Sequence, residues 1–340
     1  MDMQIGRRDD PVGDDLNGRG VLFDRATVAV IIPTFNQARF LADAIKSVLA
    51  QTRQADDIIV VDDGSTDDPA SVVAQFPKVR LIRQENRGLS GARNAGLRSS
   101  TSHYVVFLDS DDRLMPKAIE AGLACIAARP DCAFVLGGFH IISEDGRIIG
   151  PDYVDAVEGD AHLAFLRKGI ATPSMALFRR DCLLAVNGFD ETLRRVEDRD
   201  LYLRITQKYP VASHMEVVTE YRRHGQNMSD NHVEQLRVLL EVLDLYEARN
   251  TTDARTRAAL QEGRAFKRKY FANEMVKEAA ARWRMRREIG KAARYLVQSA
   301  QWTPYFTLRS LLAALARRAS KVLPRPIARW VEWIRGQPYP

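Results

Sequence analysis

Asp109-Ser110-Asp111-Asp112 packs three carboxylates into one turn directly after the apolar run Tyr104–Leu108. Crowded carboxylates repel one another unless a cation joins them. Oxygen ligands of this kind suit Mg²⁺ or Mn²⁺, which keep waters and phosphate oxygens as their remaining ligands. The plain alternative is a solvated turn, or an N-cap by Asp111 or Asp112 on a following helix. A second acidic cluster, Asp62-Asp63-Gly64-Ser65, follows the run Ile58–Val61. Its carboxylates suit hydrogen bonds to a base N–H and a ribose hydroxyl, although Asp, Gly and Ser also build ordinary turns. Arg93, in Arg87-Gly88-Leu89-Ser90-Gly91-Ala92-Arg93-Asn94, is placed either to reach a phosphate or to steady the acidic groups. That segment is neither a G-x-G-x-x-G nor a P-loop. Glu197-Asp198-Arg199-Asp200 precedes Leu201, Leu203 and Ile205 on a helical pattern. Acids there cap a helix, or Asp198 acts as a general base on an acceptor hydroxyl. His224 sits in Tyr221–Ser229 among Gly, Asn and Ser. As a neutral imidazole it is a candidate metal ligand, the alternative being a structural or solvent-facing histidine.

These residues need a scaffold that brings them together. Val28–Ile32, Ile58–Val61, Val79–Ile82 and Tyr104–Leu108 read as buried strands. Helical periods cover Ala38–Ala50, Leu89–Arg98, Met115–Arg129, with Pro116 in its first turn, and Asp198–Lys208. Val211–Tyr221 is more strand-like, and residues 132–178 mix short strands with Gly-rich turns. Strands alternating with helices predict βαβ units and a mainly parallel α/β sheet. In open sheets of this kind the ligand crevice lies outside the carboxyl ends of the strands. Pro33-Thr34-Phe35-Asn36, the Asp62 cluster and the Asp109 cluster stand at three such ends and should converge there. Beyond Asn231 the pattern is helical almost throughout. The expected organisation is a leader at 1–25, a catalytic domain at 26–230 and a basic helical extension at 231–340.

In chain order, the fragments VAVIIPTFNQARFLADAIKSVLAQT, IIVVDDGSTDD, ENRGLSGARNAGL, VVFLDSDDRLMP, NGFDETLRRVEDRDLYLRI and YRRHGQNMS resemble glycosyltransferase family 2. The resemblance covers about Val28 to Ser229. It implies a GT-A, nucleotide-diphospho-sugar transferase fold with a Rossmann-like mixed sheet and a nucleotide-sugar donor, UDP-linked by preference. It also implies a Mn²⁺ or Mg²⁺ cofactor and inversion at the anomeric carbon. By the same resemblance Pro33 and Phe35 line the base pocket, and Asp63, beside Asp62, bonds the base. Arg93 lies near the donor, Asp109 near the ribose or sugar, and Asp111 and His224 at the metal. Asp198, paired with Glu197, is the base. Similar sequences often carry Trp where this chain has Arg199, which places Arg199 on the acceptor side and favours an anionic acceptor. A glycan or lipid-linked acceptor in bacterial surface polysaccharide assembly follows from the resemblance alone. A non-catalytic nucleotide-sugar-binding scaffold is the rival that Asp111 and Asp198 argue against. A nucleotidyltransferase would carry a Gly-rich loop after Ile32, which is absent.

The 340 residues carry a net charge of +6. The charge is split: residues 251–340 hold 20 Lys+Arg against 6 Asp+Glu, leaving 30 against 38 in residues 1–250. Leu308, Leu311, Leu312, Leu315, Ala319, Val322 and Leu323 share one helical face, with Trp330 and Trp333 beyond. Residues 301–340 therefore suit either an anionic membrane surface or packing on the catalytic domain. No recognition motif points to nucleic acid. Cys125, Cys132 and Cys182 form no C-x-x-C pair and read as reduced thiols. The start lacks the apolar run of a secretory signal, and the charge-free stretch Tyr295–Leu308 is shorter than the ~20 residues a bilayer span needs. The expected location is cytoplasmic, peripheral to the inner face of the membrane.

Overall fold

Val28, Val30, Ile31 and Ile32 are completely buried, and each such side chain contributes about 1.5–3 kcal/mol of transfer free energy. In the computed structural model they form β1 (Val28–Thr34), the middle of a parallel run with β2 (Asp57–Asp62), β3 (Val79–Arg83) and β4 (Tyr104–Phe107). The structure describes residues 26–304 and 307, except 155, 158, 170, 171, 226, 228–230, 251 and 285–288. The expected leader at 1–25 and the Leu308–Leu323 face with Trp330 and Trp333 lie outside the described residues.

Helices α1 (Ala38–Leu49), α2 (Pro69–Val73) and α3 (Gly88–Ser99) connect the parallel strands. Each matches or adds to the expected βαβ pattern. The α1 face that carries Phe40, Leu41, Ala44, Ile45 and Val48 is the buried one, as its period requires. α3 lies against β1 so closely that a Cβ added at Gly96 would stand 2.3 Å from Cγ2 of Ile31.

The second half departs from a mainly parallel sheet. The full order is β3-β2-β1-β4-β7-β6-β8-β5. β5 is Arg113–Leu114, β6 Phe134–Ile142, β7 Ala176–Arg179 and β8 Ala212–Arg222. β7 runs antiparallel to both β4 and β6, whereas β8 is parallel to β6. Two reversals return β6 and β8 to the direction of β1, so all their carboxyl ends share one edge. The strand β5 displaces the expected helix start. α4 is Ala118–Ala128 with Lys117 at its N-cap, so Pro116 precedes the helix and neither Asp111 nor Asp112 caps it. A short helix, α5 (Ala161–Arg167), lies within 132–178, where only strands and turns were expected, and another, α6 (Arg180–Ala185), follows. α7 (Glu197–Thr206) leads into β8.

α8 (His232–Arg249), α9 (Ala254–Arg284) and α10 (Ile289–Trp302) follow. Val242, Leu243, Ala259 and Leu260 belong to the same buried cluster as the sheet, and α9 packs on α5 and α8. The described part of the extension is thus seated on the α/β body. No described helix is long and apolar enough to cross a membrane.

The seat of α9 includes Lys267, only 5% exposed. Its Nζ donates to the carbonyls of Leu166 at 3.2 Å and Arg167 at 3.3 Å, the last turn of α5. Burial, reinforced by the charge of Arg199, pulls its pKa down from 10.5 to about 7. The unfolded chain therefore holds the extra proton between about pH 7 and pH 10.5, and stability rises with pH across that window. Lys267→Met is expected to flatten this slope and to remove a penalty of about 3–5 kcal/mol that is fully present below pH 7. Urea midpoints from pH 6 to 10 check it; parallel slopes in the two proteins refute it.

Candidate active site

The crevice edge begins with β1. Pro33 and Thr34 are its buried last residues, and Phe35 beyond them is exposed, so a ring is available to cover a ligand. Asn36 takes φ +54°. Its Oδ1 accepts from Thr66 N at 2.9 Å, and its own N–H donates to Ser65 Oγ at 3.0 Å, locking the ends of β1 and β2 together.

Asp62 and Asp63 are both buried. Asp62 Oδ1 accepts from Ser65 N at 2.8 Å, and Arg83 lies 3.4 Å from its Oδ2. Asp63 accepts from Gln84 Nε2 at 2.7 Å, Arg87 N at 2.9 Å and Gly88 N at 2.8 Å. Three of the roughly four lone-pair directions of this carboxylate are thus used by the chain itself. Of the two expected uses, the turn-building one is seen directly: Asp63 pins the start of α3 to β2. Gly64 makes this turn possible, because its φ is +80° and a Cβ there would stand 3.1 Å from Asn86 N.

Arg93 is the centre of the cluster. It is 1% exposed; Nη2 donates to Asp109 Oδ1 and Nη1 to Glu197 Oε1, both at 2.6 Å. The guanidinium also lies over the Phe189 ring, 5.2 Å from its centroid. Both ends are taken, so of the two expected roles it fills the second: it steadies the carboxylates and does not reach out to a phosphate. Burial raises the pKa of Asp109, against the pull of Arg93, and the Asp111 charge raises it further. Glu197 is raised for the same first reason, opposed again by Arg93 and supported by Asp198.

On the other side of the turn, His224 Nε2 lies 2.9 Å from Asp111 Oδ2. These residues stand 113 positions apart, and the fold brings them into contact. Asn227 shapes the loop: its Oδ1 accepts from His224 N at 2.6 Å and its Nδ2 donates to the Arg222 carbonyl at 2.9 Å. The His224 ring lies 4.9 Å from that of Phe40. Among the described residues no set of three or more His, Cys, Asp or Glu is arranged around a metal position. The donor types present, one imidazole nitrogen and one carboxylate, still fit a hard divalent ion, whose remaining ligands are commonly phosphate oxygens and waters.

Asp198 lies in the first turn of α7, where Oδ1 accepts from Arg199 N at 2.8 Å. The residue before the helix, Val196, takes φ +62°, a costly conformation for a β-branched side chain. Strain at this junction aims the first turn of α7. Arg199 lies beside it with a buried Nη1 that finds no hydrogen-bond partner.

Sequence reasoning missed Asp112 and Arg222. Asp112 is buried, its Oδ1 accepting from Arg222 N at 2.9 Å while Oδ2 has no partner. Burial, then the charges of Asp111 and Asp109, push its pKa well up. Buried Arg222 donates Nε to the Asp111 carbonyl and Nη1 to the Glu144 carbonyl, both at 2.7 Å. Its position two residues before His224 was the available signal.

Comparison with known proteins bears on this arrangement. A family model described as Glycosyl transferase family 2 matches residues 29–185. The chain is 30% identical over 206 residues to an uncharacterized glycosyltransferase of Rickettsia conorii, covering 58% of this chain and 33% of that protein. It is 28% identical over 206 residues to a chondroitin synthase of Escherichia coli, covering 59% and 30% respectively. It therefore spans about a third of the length of these relatives. Among solved structures, S. aureus TarS 1–349 in complex with UDP-GlcNAc has a TM-score of 0.54 at 16% identity, covering 91% of this chain and 87% of that one. The mannosyltransferase PcManGT of Pyrobaculum calidifontis, in complex with GDP-Man and Mn²⁺, has a TM-score of 0.56 at 19% identity, covering 92% and 84%. The fold is that of the GT-A glycosyltransferases.

Proposed function

We propose that this chain, whose residues 29–185 match the glycosyl transferase family 2 model, moves a sugar from a nucleotide-diphosphate donor to an acceptor hydroxyl. The observation that carries the proposal is the placing of two functional halves around one buried cation. Arg93 joins Asp109 of the turn to Glu197, the neighbour of Asp198. Donor and base sides are thus held in one rigid frame, which is what in-line displacement requires.

The donor lies along the ends of β1, β2 and β4. Pro33 and Phe35 flank the base, the open side of Asp62 and the last free direction of Asp63 meet the base and ribose, and Asp109 faces the ribose or sugar. UDP-sugars are the preferred donors; the solved relatives named above hold UDP-GlcNAc and GDP-Man. Asp198 removes the proton of the acceptor hydroxyl. As that oxygen forms its bond to the anomeric carbon, the bond from that carbon to the phosphate oxygen breaks, and the diphosphate leaves with the electron pair. Attack opposite the leaving group inverts the centre. Asp111 and His224 would hold a Mn²⁺ or Mg²⁺, which when bound supplies Lewis-acid stabilisation of the departing charge. Glu197 and Arg93 position the frame. Arg199, the neighbour of Asp198, is assigned to the acceptor side. The transferase unit is 26–230, with 231–340 as its extension. The acceptor is a growing glycan or lipid-linked saccharide, a role consistent with a relative named chondroitin synthase.

The direct experiment incubates the protein with UDP-GlcNAc, UDP-glucose or GDP-mannose, Mn²⁺ and a saccharide acceptor panel, and measures released nucleotide. Asp111→Ala is expected to weaken Mn²⁺-dependent nucleotide binding by at least the roughly 10–100-fold that loss of a ligand's outer partner causes. Calorimetry with Mn²⁺ and with EDTA reads this. Equal binding by the two proteins in Mn²⁺ would remove Asp111 from the metal.

A further inference from the structure

Among the described residues two arginines are buried, Arg93 and Arg222, and the transferase reading gives a role only to the first. Arg222 is the last residue of β8 and 2% exposed. Its Nε donates to the Asp111 carbonyl at 2.7 Å. Its backbone N donates to Asp112 Oδ1, and its carbonyl accepts from Asn227 Nδ2, both at 2.9 Å. Asn227 in turn takes the His224 N–H on its Oδ1 at 2.6 Å. The guanidinium carbon lies 5.1 Å from the centroid of the Phe40 ring, and the His224 ring lies 4.9 Å from that same ring. Phe40, on α1, therefore packs against both. The far side of the fork is anchored as well. Nη1 donates to the Glu144 carbonyl at 2.7 Å, and Nη2 lies 3.3 Å from Oδ2 of half-exposed Asp43 on α1.

We propose that Arg222 is a positioning residue for the metal side of the site, holding the Asp111 turn and the His224 loop in one register. The proposal rests on the metal assignment made above. A buried guanidinium without acceptors is costly, so its planar fork dictates where its acceptors must stand. Asp43 and the Glu144 carbonyl fix the plane of that fork. Nε then has one direction, and it fixes the backbone from which the Asp111 carboxylate departs. On the other side only Arg223 separates Arg222 from His224. Asn227 closes that short loop onto the Arg222 carbonyl, and Phe40 is a flat wall behind the imidazole. Partners that orient a ligand from behind in this way are worth roughly 10–100-fold in metal affinity. The guanidinium has no described contact with the Asp111 carboxylate, so its charge does not take the oxygens that a cation would use. The competing role is a brace for the hairpin tip at Glu144. That tip has other braces, Arg39 at 3.2 Å from Glu144 and Arg113 Nη2 donating to the Gly146 carbonyl at 3.2 Å. The remaining contacts of Arg222 lead to Asp111, Asp112, the His224 loop and α1.

The test is Mn²⁺ binding by the full chain in the presence of UDP or GDP, read from the electron paramagnetic resonance of the free ion. Arg222→Lys keeps the charge and loses the fork. It should need roughly 10–100-fold more Mn²⁺ for half-saturation, and its nucleotide affinity should return to the parent value once Mn²⁺ is saturating. Asp43→Ala, on the exposed side of the fork, should raise the half-saturating Mn²⁺ about two- to fivefold, the worth of a partly exposed pair. Urea midpoints report stability separately. An Arg222→Lys protein that loses stability but keeps the parent's Mn²⁺ affinity overturns the proposal and leaves Arg222 a brace. Nucleotide affinity that stays low at every Mn²⁺ concentration overturns it too, since that is general distortion. If Arg222→Lys does not fold, Asp43→Ala decides, and parent-like Mn²⁺ binding in that variant overturns the proposal. A parent that takes up no Mn²⁺ with either nucleotide overturns the metal assignment itself, whereas variants compared with a binding parent bear on Arg222 alone.

Discussion

Replacing Asp198 with Asn is expected to lower sugar transfer by roughly 10²–10⁴-fold, the usual worth of a general base, while nucleotide binding stays as it was. The substitution keeps the size of the side chain and its acceptor oxygen, so the hydrogen bond from Arg199 N, 2.8 Å in the parent, survives. It removes the first-turn carboxylate of α7 that is committed neither to Arg93, as Glu197 is, nor to Arg204, as Asp200 is. Glu197 is not a substitute, because its Oε1 is bound to Arg93 at 2.6 Å in a buried position. Glu197→Gln is therefore expected to act through geometry, and Asp198→Asn through proton transfer. The two are separable by pH. If Asp198 is the base, the acid limb of the kcat/KM profile disappears in Asp198→Asn and persists in Glu197→Gln. Full turnover by Asp198→Asn would remove it from the mechanism.

Much of this site could be read before any coordinates. The apolar runs of β1, β2 and β4 are short, β-branched and bounded by polar turns, so their ends announced where a crevice had to lie. The contact between Asp111 and His224 was of another kind. No periodicity links residues so far apart, and only the ordered set of six family-like fragments placed them at one centre. The structure then changed what individual groups do. Asp63 had two open readings because turn sequences do not show which backbone N–H groups will converge on a carboxylate. Arg93 had two open roles and Arg222 none, because arginine is rarely buried without partners. Here the partners exist, but they come from α7, the turn after β4 and residues 111 and 144, and no local pattern predicts that convergence. The short elements β5, α5 and α6 escaped for a simpler reason: two to seven residues are too few to establish a period. The described helices α8 and α9 lean on the body through Val242, Leu243 and Leu260. That accounts for part of the basic extension as packing and leaves its tail, outside the described residues, with either role.

Arg93→Met is expected to cost about 3–5 kcal/mol of folding stability, the usual penalty for removing one partner of a buried ion pair. The reason is asymmetric. Burial already raises Asp109 and Glu197, and the Arg93 charge is the leading force that opposes it. Without that charge both carboxyls rise further above their unfolded values. The folded state then binds more protons than the unfolded state, so stability falls as pH climbs from about 4 through the raised folded pKa values. The variant should accordingly be least stable near pH 7 and recover toward pH 5, which urea midpoints at the two pH values would show. Adding Glu197→Gln to Arg93→Met removes one stranded charge and should restore part of the lost stability. It should not restore transfer, because Asp109 and the start of α7 are no longer tied to a common group. A single variant as stable as the parent at pH 7 would show that Arg93 does not hold the cluster together. A double variant with restored turnover would show that it holds the cluster for stability alone.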